Sequence, residues 1–197
     1  MNADMALNIE LREKTRSDWW QVVEASFDEF LVDHASCERK ASATGIQFVV
    51  KYPERTFLID PMIRFAREEL HHFHQVSKLL NARGLQQKGD EKNPYVNGLL
   101  AAMRPNPNDR FLDRLLIFAI VERRGTERFG LVGQNVKDPE LREFYQKLAD
   151  AEARHHELFI RMAYHYFPES VVQERLNEYL ELEGDIFKKL PYRPSVH

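Results

Sequence analysis

Four glutamates and two histidines of this chain repeat one spacing. Glu38 is followed 31 positions on by Glu69-Leu70-His71-His72, and Glu122 is followed 30 positions on by Glu152-Ala153-Arg154-His155. Residues three apart share a face of a helix, so each Glu-x-x-His presents a carboxylate and an imidazole together. One such pair is usually a pair of surface neighbours. Two copies, each preceded by a lone Glu at the same distance, offer the oxygen and nitrogen donors that suit divalent iron or manganese.

The surroundings of the six residues carry the metal reading. Each interrupts an apolar seam written in alternating steps of three and four, the pattern of a helix packed in a bundle core. Residues 17–51 give Phe27, Leu31, His34, Glu38, Ala41, Gly45 and Phe48; residues 56–83 give Met62, Phe65, Glu69, His72, Val76 and Leu79. Residues 109–134 give Leu112, Leu115, Ala119, Glu122, Thr126 and Phe129; residues 139–166 give Leu141, Tyr145, Leu148, Glu152, His155, Phe159 and Met162. An unpaired carboxylate inside a core is strongly unfavourable. Two imidazoles cannot neutralise four carboxylates, whereas two divalent cations can. Glu38, Glu69, His72, Glu122, Glu152 and His155 are therefore the expected ligands, Glu69 and Glu152 bridging and Glu38 and Glu122 terminal. Coordination positions left open would admit dioxygen. No catalytic residue is expected beyond the metal centre. Zinc is disfavoured, because His-Glu-x-x-His does not occur. The overlapping pair Glu68 and His71 fails the seam test, since Arg64, Glu68, His71, Gln75 and Lys78 describe a solvated face. His74 and His156 fall off the seams and read as surface histidines, with partners that orient a ligand as the alternative, while His34 reads as a satisfied core histidine. The small residues Ala41, Gly45 and Ala119 either line a pocket for dioxygen or an apolar substrate group, with Thr126 and Tyr145 nearby, or allow close helix packing.

The elements that position these residues are helices. Ser17 reads as an N-cap with Asp18 in the first turn of a helix over 17–51, which Tyr52-Pro53 ends. A second helix over 56–83 is closed by Gly84. A short helix is expected near Pro94–Met103, then helices over 109–134, 139–166 and 169–190, with Pro139 in a first turn. The two tight hairpins and the long link between them predict an all-α fold, a ferritin-like four-helix bundle with an additional C-terminal helix. The 197 residues fit a single domain over 1–197. Apolar residues are 43% and charged residues 30%, without a run long enough to span a bilayer. One cysteine, Cys37, excludes an internal disulfide framework and fits the cytoplasm. A net charge of -3 offers nucleic acid no global attraction, though a local basic patch remains open.

Residues around the ligands resemble a known family. Asp33-His34-Ala35-Ser36-Cys37-Glu38-Arg39-Lys40-Ala41 and Arg67-Glu68-Glu69-Leu70-His71-His72-Phe73 are similar to the bacterial tRNA hydroxylases that act on 2-methylthio-N6-isopentenyladenosine. So are Asp113-Arg114-Leu115-Leu116, Glu122-x-Arg124, Glu127-Arg128-Phe129 and Asp150-Ala151-Glu152-Ala153-Arg154-His155, while Gly125-Thr126 departs from the Ser-containing stretch expected there. The resemblance implies a non-haem di-iron monooxygenase that takes electrons from an external reductase. It would hydroxylate the isopentenyl side chain of a modified adenosine beside the anticodon of tRNA. Arg39, Lys40, Arg104, Arg110, Arg123 and Arg124 are candidate tRNA contacts, with a salt-bridged helix face as the competing reading. Residues 168–185 are acidic and make a poor RNA face. Two other functions use the same ligands: a quinone-type hydroxylase at a membrane, and an iron- or peroxide-handling protein.

Overall fold

Three of the four places where Asn or Asp precedes Pro begin a helix; the fourth, Asp60-Pro61, lies inside one. The side chains of Asn93, Asn106 and Asp138 accept hydrogen bonds from the backbone amides of Tyr95, Asn108 and Glu140 at 2.9, 3.0 and 2.8 Å. The following Pro94, Pro107 and Pro139 occupy the first helical position, where the missing N–H has no intrahelical partner to lose. The computed structural model describes residues 7, 9–89 and 92–197, and every regular element among them is an α-helix. These are α1 (Trp19–Ala25), α2 (Phe27–Lys51), α3 (Thr56–Ala82), α4 (Pro94–Ala101), α5 (Pro107–Asn135), α6 (Pro139–Tyr166) and α7 (Glu169–Lys189).

The chain forms two compact units. One holds α1, α2 and α3 with Tyr192–Val196. The single helix expected over 17–51 is divided at Ser26, whose φ of -138° and ψ of 46° are not helical. The sequence shows no Gly or Pro there, and the reason is tertiary. Trp19 and Phe30 would lie about 16 Å apart along one continuous helix, yet their rings meet edge-on at 6.1 Å. Only a break lets both aromatic rings share one apolar site. The cap is Asp18 rather than Ser17, and its side chain makes no capping bond. The Trp19 indole donates to the Arg193 carbonyl at 3.0 Å, and the Val196 amide donates to Asp33 at 2.7 Å, which ties the C-terminal segment to α1 and α2. α2 and α3 press together at Gly45, where a Cβ would stand 2.9 Å from both Ala66 Cβ and Phe65 Cδ1. Gly84 closes α3 at φ 68°, with Leu85 N–H bonded to the Leu80 carbonyl. This is the left-handed cap the sequence predicts.

The other unit holds α4 to α7, the described part of Met1–Ser17, and His197. Helix α5 begins two residues before the expected start, because Asn106-Pro107 is its cap rather than part of the break. Helix α7 contributes counter-charges to the interior of this unit rather than a loose cover. The Arg124 guanidinium on α5 is fully buried and donates to Glu183 on α7 at 2.6 Å, to the Glu13 carbonyl at 2.8 Å and to Glu127. The Phe187 ring lies 3.7 Å beneath it, and the Tyr95 hydroxyl donates to the same Glu183 at 2.8 Å. A second buried acid, Asp113, accepts from Arg104 at 2.7 Å and from Arg175 at 2.8 Å.

Removing one partner of a buried ion pair leaves the other charge uncompensated, which typically costs about 3–5 kcal/mol. Glu183→Ala should therefore destabilise the protein by about that amount, measured by denaturant unfolding. Arg124→Met combined with Glu183→Met should recover most of the loss. A double variant as unstable as the single would show that the charges themselves are required. Burial raises the Asp113 carboxyl, but hydrogen bonds from Arg175 and Arg104 outweigh it and hold the pKa below the ordinary 3.8. A depressed carboxylate stabilises the fold above its unfolded value and loses that stabilisation as pH falls through the folded one. Asp113→Asn should therefore reduce stability at neutral pH and flatten the acid limb of the stability curve. An unchanged acid limb would remove Asp113 from that role.

Candidate metal centre

On α2 and α3, Glu38, Glu69 and His72 each turn a ligand atom to the others, all within 4.8 Å. The two carboxylates are buried, and the His72 side chain is 12% exposed. His72 Nδ1 stands 3.7 Å from Glu38 Oε2 and 3.6 Å from Glu69 Oε2. One helical turn before Glu38, the fully buried His34 meets it through Nε2 at 2.7 Å from Oε1. His34 is thus more than a satisfied core residue: it holds the Glu38 carboxylate in one orientation, as outer groups do for ligands at metal sites. Its position four residues before Glu38 on the same seam was the available signal. On α5 and α6, Glu122, Glu152 and His155 form a second set, also buried and also with ligand atoms within 4.8 Å of one another. His155 Nδ1 lies 3.2 Å from Glu152 Oε2. Each set therefore brings two carboxylates and one imidazole together and could hold a metal.

The protonation of the first set follows from the same contacts. Burial pushes the Glu38 carboxyl up, but hydrogen bonds from His34 and His72 outweigh it and hold Glu38 ionised well below the usual carboxylate range. Burial lowers the His72 imidazole, yet the Glu38 and Glu69 carboxylates win and push it up to about 10. In the metal-free protein His72 is an imidazolium at neutral pH.

Other expected site residues take different places. The space anticipated beside Gly45 is filled by Ala66 and Phe65, so this glycine serves helix packing and not a pocket. Thr126 donates its hydroxyl to the Glu122 carbonyl of its own helix at 3.0 Å. Tyr145 is buried among Phe129 and Phe144, at ring distances of 5.9 and 5.0 Å. Ala119 is fully buried and Ala41 half-buried. Arg124 is corrected as a tRNA contact, because its guanidinium is buried in the ion pair with Glu183. The signal for that pair was a lone Glu183 on the apolar side of α7, between Tyr179 and Phe187. Arg104 is committed to Asp113 and Arg123 to the Ile9 carbonyl. Arg39 donates to Gln87 and to the Lys88 carbonyl, Lys40 is half-buried, and Arg110 is exposed. His156, read as a surface histidine, is buried; burial and the neighbouring Arg123 push its imidazole down to about 4, so it is neutral.

A metal displaces the ligand proton, so His72 sets a pH dependence. Between about pH 6 and 8, ferrous or manganous ion should bind about tenfold more tightly for each pH unit, with one proton released. The slope should vanish in His72→Ala. A wild-type affinity independent of pH would remove His72 from the ligand set.

The chain matches, over residues 5–197, the family model described as tRNA-(MS2IO6A)-hydroxylase (MiaE). It is 34% identical over 156 residues to the tRNA 2-(methylsulfanyl)-N(6)-isopentenyladenosine(37) hydroxylase of Pseudomonas putida, covering 79% of this chain and 76% of that protein. The hydroxylase of the same name from Salmonella typhimurium is 33% identical over 203 residues, covering 79% and 74%. A solved structure, Protein 43 with aldehyde deformylating oxygenase activity from Synechococcus, superposes with a TM-score of 0.89 at 33% identity, over 94% of this chain and 93% of that one. The all-α, ferritin-like fold class read from the sequence is the one found. The chain belongs to the MiaE family of tRNA hydroxylases.

Proposed function

We propose that this protein hydroxylates the isopentenyl side chain of 2-methylthio-N6-isopentenyladenosine in tRNA, with dioxygen as co-substrate and an external reductase as electron donor. The observation that carries the reading is the pair of buried Glu/Glu/His sets in a chain of this family. Glu38, Glu69 and His72 would hold one iron ion, and Glu122, Glu152 and His155 another. When bound, the two irons would supply the activation of dioxygen that oxidises a C–H bond, one oxygen atom entering the product and the other leaving as water.

The residues themselves bind, orient and exclude. Four carboxylates balance the charge of two divalent cations. His34 holds Glu38 in a single orientation through its 2.7 Å contact. Burial of both sets keeps bulk water from the reacting position, which protects a reactive oxidant from side reactions. Ala119 lies three residues before Glu122 on α5, and Ala41 three after Glu38 on α2. Among the described residues no helix is long and apolar enough to cross a membrane. We place the enzyme in the cytoplasm, where its substrate is found.

The structural likeness to a protein named for aldehyde deformylating activity makes a second substrate class worth assaying. Iron-loaded protein should be given reductant and air with either tRNA bearing isopentenyl-type adenosines or a long-chain aldehyde. The tRNA reading expects a digested nucleoside heavier by one oxygen atom, absent with Glu122→Ala. An alkane one carbon shorter than the aldehyde, with unmodified nucleosides, would overturn it.

A further inference from the structure

Arg67, Leu70, His71, Phe73, His74 and Ser77 line a groove of about 570 Å3 on α3. Arg67, Leu70, His71 and His74 are exposed, whereas Glu69 on the same turns points inward and is buried. Leu70 is 56% exposed, an aliphatic side chain left open to water beside a guanidinium and two imidazoles. The groove lining contains no carboxylate, and Glu68 does not contribute to it. One end is built. The Gln87 amide donates to Ser77 Oγ at 3.1 Å, and its oxygen accepts from Arg39 at 3.1 Å. Arg39 also donates to the Lys88 carbonyl at 3.2 Å and lies 6.0 Å from the centre of the Phe73 ring. A second guanidinium is thereby held at the edge of the groove.

A polyanion with exposed planar apolar faces fits this combination. Single-stranded RNA has both properties, since its phosphates take cationic donors and its unstacked bases pack on aromatic and apolar side chains. The surface of the groove is itself mostly apolar, which suits the face of a base, and Arg67 adds a charge for phosphate. We propose that this groove is the docking site for the anticodon loop of the tRNA substrate, with phosphates against Arg67, His71 and His74 and a splayed base against Leu70 and Phe73. The inference rests on the tRNA hydroxylase reading and gives that reading a surface. Glu69 and His72 occupy the same turns of α3 as the groove. RNA held there is brought to within about one helix diameter, roughly 10 Å, of these two ligands.

The test uses the full-length, iron-loaded protein and a fluorescent anticodon stem-loop carrying the modified adenosine. Its anisotropy is followed across a salt series and paired with turnover on the same RNA. Arg67→Gln should reduce the salt slope by about 0.7, the share of one phosphate contact on a single strand. Arg67→Gln combined with His71→Gln and His74→Gln should weaken binding about tenfold or more and raise KM without lowering kcat. Leu70→Ser should raise KM with the salt slope unchanged. Lys147→Gln removes an exposed cation paired with Glu143 on α6, and it should change neither quantity. Circular dichroism and iron content verify that each variant is folded and loaded. Folded variants that keep the wild-type slope and KM on a tRNA the wild type hydroxylates would overturn the groove alone. Wild-type protein that neither binds nor hydroxylates the RNA would overturn the reading beneath it as well.

Discussion

A carboxylate buried in an apolar helix seam must be neutralised where it stands, because solvent is not there to do it. This constraint organises the molecule. Glu183 and Asp113 are neutralised by guanidiniums at hydrogen-bonding distance, Arg124 for the first and Arg104 with Arg175 for the second. Guanidinium keeps its charge at every physiological pH, so these pairs are permanent and tie α7 to α5. Glu38 and Glu69 face a different counter-charge. His72 stands between the two carboxylates and His34 contacts Glu38, so imidazoles take the place that guanidiniums hold at Glu183 and Asp113.

The two buried Glu/Glu/His clusters were legible in the sequence because their periodicity and their apolar surroundings agree. Glu38, Glu69, Glu122, Glu152 and His155 all fall on seams that the structure buries, and each falls at the predicted register. The elements were legible for the same reason wherever a local signal marks the end of a helix, as at Gly84 or Pro139. What escaped depends on contacts between distant segments. The break at Ser26 exists because Trp19 and Phe30 must meet, a requirement no local propensity encodes. Arg124 resembled its charged neighbours in sequence, and only the docking of α7 makes it a buried residue. Gly45 illustrates an ambiguity of composition, since a small residue beside a ligand can make room for a substrate or for the facing helix. Here Phe65 and Ala66 decide for the helix.

Membership of the family extends this physical reading to a reaction, and the two bear on different parts of the chain. The buried Glu/Glu/His sets could hold a metal, but the same donor set serves many oxidations and some proteins that perform none. Substrate choice must come from surfaces that the triads do not determine. Of the candidate arginines, Arg104 ahead of α5 and Arg123 and Arg124 on it are already engaged with protein partners, whereas Arg110 on α5 is exposed.

Helix α3 then carries two tasks on two faces. Its inward seam, with Glu69 and His72, requires an apolar setting that keeps its carboxylates from water. Its outward face, with Arg67, Glu68, His71 and His74, is open to water. A helix separates these demands by geometry alone, because residues one or two apart point in different directions. The Glu68-Glu69 and His71-His72 doublets express this division in the sequence: in each, one residue belongs to the solvated face and its neighbour to the ligand set. The rigid turn between them holds the two faces in fixed register. Anything seated on the outer face is therefore positioned relative to Glu69 and His72 by the backbone of α3 itself, with no flexible segment between the exposed face and the buried one.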